Sequence, residues 1–496
     1  MRSLAAVIQT MTAYETVIGL EVHCELATAS KMFCGCPNEF GTEPNTNVCP
    51  VCLGLPGSLP VLNARAVEYA LRVAEALHLE VPDRSVFSRK NYFYPDMPKN
   101  YQTSQYDEPI TVNGWLDIDG VRVGITRAHL EEDTGKSQHI GVGGRIHDAD
   151  FSLVDYNRAG VPLLEIVSEP DIRSAEQAKR YVEELRATLL AVGVSDVKME
   201  EGSLRIDANV SVRPPGSDAL GTRTEIKNLN SLRSLLRAID YEADRQWTRT
   251  QAGEKVVQET RHWDEEGGRT ISGRSKEEAH DYRYFPEPDL VPVEPTGQMR
   301  EHVRESMPEL PGARRARYVE QWGIAAEDAR ILVDVPGLAE YAEHAVAALA
   351  GDGGSAKDVV NWVRQDVLAY LNETGLAPAV LAPEMLAELV GLVAGGTISR
   401  QQAKDVLAES LREDKWPRSI VESRGISQVS DEGAIAEVID RVLATNPGVA
   451  DEYRAGDDGA RKKKWGFLMG QVMRELKGKG NAQVINRILE QRLAGG

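Results

Sequence analysis

The chain has 496 residues, 42% of them hydrophobic and 27% charged, and its formal net charge is −19. That length predicts more than one domain, the balance is ordinary for a globular chain in water, and no apolar run approaches the length of a membrane span. Taken alone, a charge of that sign argues against a nucleic-acid binder, because phosphate contact wants Lys and Arg.

The first ten residues carry one Arg and a short apolar run, too short for a secretory core, and Met11 is an alternative start. A cytoplasmic setting with no membrane contact is therefore expected. Residues 14–26, YETVIGLEVHCEL, alternate between Ile18, Leu20, Val22, Cys24 and Leu26 on one side and Glu21, His23 and Glu25 on the other. This is the period of a strand with one dry and one polar face. Two carboxylates and an imidazole on one rigid face suit a divalent cation. A solvated surface strand reads the same way.

Cys34-x-Cys36 and Cys49-x-x-Cys52 follow, with twelve residues between the pairs. Two close pairs across a short loop form a tetrathiolate zinc pattern with a structural role, since four thiolates leave no open position. Disulfides are the alternative, and a cytoplasmic setting disfavours them. Cys24, on the dry face of the first strand, reads as a buried inert thiol.

The stretch SRKNYFYP supplies Arg89 and Lys90 and the aromatics Tyr92, Phe93 and Tyr94, either a stacking surface or a packed loop. HLEEDTGKS, residues 129–137, contains Gly135-Lys136-Ser137, but Leu130 stands where a phosphate-binding loop needs glycine. In PLLEIVSEP, residues 162–170, Glu165 interrupts an apolar run, where a carboxylate needs a cation to offset its burial. Residues 174–192 read as an amphipathic helix capped by Ser174. In GSLRIDANVSVR, residues 202–213, Arg205, Asp207, Asn209, Ser211 and Arg213 share the polar face of a strand. A second helix is expected over 228–247.

The proline-rich stretch 286–297 ends a first domain, and helical patterns follow over 301–306, 313–322, 325–334, 338–350, 355–373, 383–394 and 399–410. After a break near 423–430, helices near 431–445, 461–476 and 481–493 form a small bundle. Periodicity alone gives α+β followed by all-α. From 459 to 496 nine Lys or Arg (Arg461, Lys462, Lys463, Lys464, Arg474, Lys477, Lys479, Arg487, Arg492) face Glu475 and Glu490, a local +7. Such asymmetry marks either nucleic-acid contact or a solvated helix face.

The wording TVIGLEVHCEL, RKNYFYPDMPKNYQTSQ, GITRAHLEEDTGKS, LVDYNRAGVPLLEIVSEPDIRS, VSDVKMEEGSLRIDANVSVR, TEIKNLNS and DYRYFPEPDL resembles the B-subunit family of the aspartyl/glutamyl-tRNA(Asn/Gln) amidotransferases, from about Tyr14 to the C-terminus. The resemblance implies an antiparallel-sheet cradle, distantly similar to glutamine synthetase, over 1–296, a helical domain over 297–424 and a tRNA-contacting helical tail over 425–496. It implies an ATP-dependent enzyme. The side-chain carboxylate of Glu-tRNA(Gln) or Asp-tRNA(Asn) is phosphorylated and then aminated with ammonia from a partner amidase, the A subunit, while a small C subunit holds the two together. No self-contained glutaminase is recognisable in the chain, as that division requires.

Carried over by motif, the resemblance places Mg²⁺ on Glu21, His23, Glu131, Glu132, Glu165 and Asp207. It gives Lys90, Arg89 and Arg205 the phosphate or substrate carboxylate, and Tyr92 and Tyr94 the adenosine of ATP or tRNA. Structural Zn²⁺ falls to the four cysteines. The competing reading is a zinc-stabilised RNA-binding scaffold without chemistry. Either tRNA(Gln) or tRNA(Asn) is compatible with the sequence.

Overall fold

A computed structural model describes residues 14–141, 149–275, 279–349, 353–376, 378, 381–426, 432–455, 458–476 and 480–494. The alternative start at Met11, and Lys477 and Lys479 of the basic tail, lie outside the described residues. The chain divides into two compact units, Met1–Pro311 and Gly312–Gly496.

The first unit opens with β1 (Glu15–Glu25), followed by helix α1 (Ala64–Ala76) and strands β2 (Phe87–Asn91) and β3 (Tyr101–Gln105). Next come β4 (Thr111–Ile118), β5 (Val121–Glu132), β6 (Lys136–Gly141), β7 (Ala149–Asp155) and β8 (Pro162–Ser168). Helix α2 (Ala175–Ala191) leads to β9 (Leu204–Arg213) and β10 (Thr224–Lys227). Helix α3 (Leu232–Gln251), β11 (Glu259–Asp264), β12 (Arg269–Ser275), β13 (Phe285–Pro286) and α4 (Gly297–Glu305) complete it.

Eight of these strands form one sheet in the order β12-β11-β10-β9-β1-β8-β5-β4. All its neighbours run antiparallel except β10 and β11. The alternation read in β1 and β9 sets the two faces. Leu20, Val22, Cys24, Leu204, Ile206 and Ala208 are buried in a core shared with α1, α2 and α3. The polar side chains of the same strands therefore stand on the opposite face.

Ser174 caps α2 by accepting from the Gln177 N–H, as the sequence predicts. Helix α3 begins four residues later than its pattern suggests. Asn228 holds φ 67, which no helix accommodates, and Ser231 supplies the cap. Helix α4 and the residues Met307 and Leu310 pack against the first core, so the compact unit runs on beyond the proline-rich stretch to Pro311.

The second unit is helical and holds two separate hydrophobic clusters. One lies between Tyr318 and Val421, the other between Ile435 and Leu493. Helices Pro417–Arg424 and Pro447–Ala455 have no counterpart in the sequence reading. Each starts on a proline that reads as a breaker, yet a first-turn proline has no helical hydrogen bond to lose. Among the described residues no helix is long and apolar enough to cross a membrane.

Candidate functional site

Register places the polar residues in rows across the sheet. In one row Arg205 of β9 stands opposite His23 of β1, His23 opposite Glu165 of β8, and Glu165 opposite His129 of β5. In the next, Asp207 stands opposite Glu21, and one row further Glu225 of β10 lies opposite Asn209, which faces Gly19 of β1. These rows form a polar floor on the sheet beside a cleft of about 1120 Å³ whose lining includes His23, Glu131, Asp133, Arg205, Asp207 and Lys90; Glu21, Glu165 and Glu225 are not among the lining residues.

Two groups of ligating atoms result. His23, Glu131 and Glu165 form the first, and Glu21, Asp207 and Glu225 the second; in each the donor atoms lie within 4.8 Å of one another. His23 Nε2 is 3.6 Å from Glu165 and 3.8 Å from Glu131. His129 Nε2 is 3.2 Å from Glu165 and 3.8 Å from Glu131. Burial opposes a charged His23, but the hydrogen bond and charge of Glu165, aided by Glu131 and Asp207, hold it up at about 9. Burial likewise opposes ionisation of Glu165, and His129 with His23 overrides it, holding that carboxyl well below the usual range.

In the second group Lys227 Nζ lies 2.6 Å from Asp207 and 3.3 Å from Glu225. Asn209 donates to Glu21 at 2.9 Å, and the Thr260 hydroxyl donates to Glu225 at 2.8 Å. Three carboxylates with one ammonium leave a local charge of −2, which matches a divalent ion. The second group, all carboxylate oxygen, suits a hard divalent cation such as Mg²⁺, whereas the first adds an imidazole to two carboxylates.

Arg205 forks onto Asp133 with contacts of 2.6 and 3.3 Å. Its buried Nε finds no hydrogen-bond partner among the described residues, and the residue lines the cleft. Burial and the adjacent Asp133 push Glu25 up to about 8. Lys90 lines the cleft with its ammonium 5.0 Å from the Tyr282 ring centroid.

Not every residue singled out in the sequence joins this floor. Glu132 faces the other way, because β5 alternates: His129 and Glu131 share one face, Leu130 and Glu132 the other. Glu132 is ion-paired with Lys99 and accepts from the Thr103 N–H at 2.8 Å. Arg89 is bidentate on Glu287 at 2.7 Å for both contacts and stacks over Tyr101; it does not line the cleft. Tyr92 is largely buried, edge-on to Tyr282, and burial pushes its hydroxyl pKa up. Tyr94 is exposed, and neither tyrosine lines the cleft. His129, Glu225 and Lys227 escaped the sequence reading. Period-2 counting within HLEE and TEIK would have found all three.

The Lys99–Glu132 pair is itself nearly inaccessible. Lys99→Met is expected to lower stability by about 3–5 kcal/mol, the usual cost of stranding one member of a buried ion pair. Denaturant unfolding of the purified chain measures it, and Lys99→Met combined with Glu132→Gln should recover part of the loss.

The four cysteine sulfurs also lie within 4.8 Å of one another. A tetrahedral zinc site with Zn–S near 2.3 Å spaces its sulfurs about 3.8 Å apart, and Cys49 and Cys52 Sγ are 3.8 Å apart. The hydrogen bond from Cys34 holds the Cys52 thiol down at about 5, against the effect of burial. Cys24 is separate, fully buried, and pushed up to about 12 by that burial. Residues 38–42, between the two cysteine pairs, line the cleft.

A largely antiparallel sheet with two carboxylate-rich groups that could hold cations on its polar face is the class of domain this geometry defines. Residues 16–301 match the family model described as the GatB/GatE catalytic domain, and residues 344–493 match the GatB domain. Curated relatives include the B subunit of the aspartyl/glutamyl-tRNA(Asn/Gln) amidotransferase of Moorella thermoacetica, 52% identical over 97% of this chain and 100% of the relative. Those of Brevibacillus brevis and Frankia casuarinae are 49% and 50% identical, each over 97% of this chain and over 99% and 96% of the relative. The chain belongs to the B-subunit family of the aspartyl/glutamyl-tRNA(Asn/Gln) amidotransferases.

Proposed function

We propose that this chain is the ATP-using member of a complex that converts Glu-tRNA(Gln), Asp-tRNA(Asn) or both to the amidated forms. A partner amidase, the A subunit, delivers the ammonia, and the small C subunit holds the complex together. The observation that carries the reading is a pair of carboxylate-rich groups able to hold cations, with His23 and Glu131 of one and Asp207 of the other lining a cleft that basic side chains also line. A carboxylate does not react with ammonia at neutral pH because the leaving group would be oxide. ATP removes that obstacle. A side-chain carboxylate oxygen bonds to the γ-phosphorus, the bond to ADP breaks, and an acyl phosphate forms. The ammonia lone pair then attacks the acyl carbon, phosphate departs, and nitrogen loses a proton.

The first step brings two anions together, so its demands are charge neutralisation and alignment. Mg²⁺ held by His23, Glu131 and Glu165, and by Glu21, Asp207 and Glu225, would supply positive charge to the phosphoryl oxygens. Arg205 lines the cleft as a fixed cation for an anionic group, its guanidinium plane set by Asp133. Lys90 stands at the cleft with an ammonium for phosphate or the substrate carboxylate. The cysteines would hold Zn²⁺ as a brace for the cleft wall, with all four positions filled by protein.

The chain purified with its two partners tests the reading. Given Glu-tRNA(Gln) or Asp-tRNA(Asn), glutamine and ATP, it should form amidated tRNA with one ADP released per amide. Amidation without ATP, or tRNA binding with no ADP release on any substrate, would replace the reading with a hydrolytic enzyme or a non-catalytic scaffold.

A further inference from the structure

Lys31 lies three residues before the first cysteine pair and is 0% exposed. Its Nζ donates to the Asn47 carbonyl at 2.9 Å and lies 3.9 Å from Cys52 Sγ. Among the described residues no carboxylate pairs with it. A buried ammonium without a counter-charge is costly, and proteins accept that cost where an anion lies close by. Here the anion is the cysteine cluster. Four thiolates around one divalent zinc carry a net charge of −2, most of it on sulfur. Cys52 is the one buried cysteine of the four and accepts from the Cys49 N–H at 3.0 Å as well.

The surroundings hold this arrangement in place. Asn47, whose carbonyl Lys31 grips, donates its N–H to the Asn157 side chain at 2.8 Å and its amide to the Pro37 carbonyl at 2.7 Å. Gly160 closes over Lys31 and Cys52 with φ +87; a Cβ there would sit 3.6 Å from Lys31 Cδ and 3.5 Å from Cys52 Cβ. The lysine is thus fixed at the sulfur cluster and connected to the 38–42 segment that walls the cleft.

We propose that Lys31 is the counter-ion of the tetrathiolate metal site, and that its positive charge sets the affinity of that site for zinc. The proposal rests on the zinc reading above. Lys31 is a positioning residue: it is fully buried and is not among the residues lining the cleft.

The test uses the full chain and zinc alone, with affinity read by competition against a chromophoric chelator. Wild type should bind about one zinc per chain, as a single tetrathiolate site requires; failure to do so overturns the zinc reading itself. Lys31→Met removes charge and donors at similar length, whereas Lys31→Gln removes the charge and keeps two donors. Both should bind zinc at least tenfold more weakly than wild type. The metal-free Lys31→Met protein should melt no lower than metal-free wild type, because an uncompensated buried charge has gone. Wild-type zinc affinity in either neutral variant overturns the counter-ion role. So does an equal loss of stability with and without zinc, which marks a packing role. If Lys31→Met does not fold, Lys31→Gln decides the question. If neither folds under metal-free conditions that leave wild type folded, the lysine serves the fold and the proposal fails.

Discussion

Glu225→Gln and Glu21→Gln are each expected to reduce ATP-dependent formation of the acyl phosphate by about 10²–10³, equivalent to about 3–4 kcal/mol of transition-state stabilisation. Both changes keep side-chain volume and a hydrogen-bonding oxygen, so the sheet has little reason to rearrange. What they remove is one of three carboxylates converging with Asp207 on a shared centre. Lys227 remains, and with one carboxylate gone the group falls to a net −1, which weakens its hold on a divalent ion. His23→Ala should act similarly on the first group, where the imidazole lies between Glu131 and Glu165. Because the lost charge acts on the phosphoryl group, the affinity for aminoacyl-tRNA should change by no more than about threefold. ADP release in the presence of Glu-tRNA reads the first effect, and filter binding at fixed salt reads the second. Normal ADP release from Glu225→Gln would remove the second group from the mechanism.

The polar face of this sheet is legible where strand alternation is followed residue by residue. Ile18 to Leu26 and Leu204 to Val212 fix β1 and β9, and with them Glu21, His23, Arg205 and Asp207. The same rule applied to HLEE separates Glu131 from Glu132. Taking both because they are adjacent acids ignores that neighbours on a strand point apart. Arg89 went to Glu287, 198 residues away in sequence, and nothing local in SRKNYFYP announces that partner. Nor does a sequence reveal register, which is what aligns His129, Glu165 and His23 across three strands. The zinc pattern is the opposite case: its four ligands lie within nineteen consecutive residues, and the spacing already carries the geometry.

Deleting the tail after Ile426 is expected to weaken tRNA binding on the order of tenfold or more at physiological salt and to flatten its salt dependence. Ile426 still packs on the Tyr318–Val421 cluster, whereas the tail helices pack on a cluster of their own, so the cut removes one core without opening the other. Part of the tail's positive charge is already neutralised within the tail. Lys464, Arg487 and Arg492 are paired with Glu452, Glu432 and Asp440, and Arg461 bonds the Arg454 carbonyl. Counted over 425–496, eleven Lys or Arg face ten Asp or Glu, so the local +7 of the last segment becomes +1 for the whole tail. What stays concentrated is the exposed run Arg461, Lys462 and Lys463 on helix Asp458–Glu475. Lys462 and Lys463 have no ion-pair partner among the described residues. Each phosphate contact contributes roughly 0.7–0.9 to the slope of log affinity against log salt. Changing both lysines to Gln should therefore lower that slope by about 1.4–1.8, with equal losses for tRNA(Gln) and other tRNAs, because backbone contacts carry no sequence information. ATP consumption by enzyme saturated with tRNA should be unaffected, since the proposed cation ligands all lie before residue 226. An unchanged slope in the double variant would show that this run is a solvated helix face.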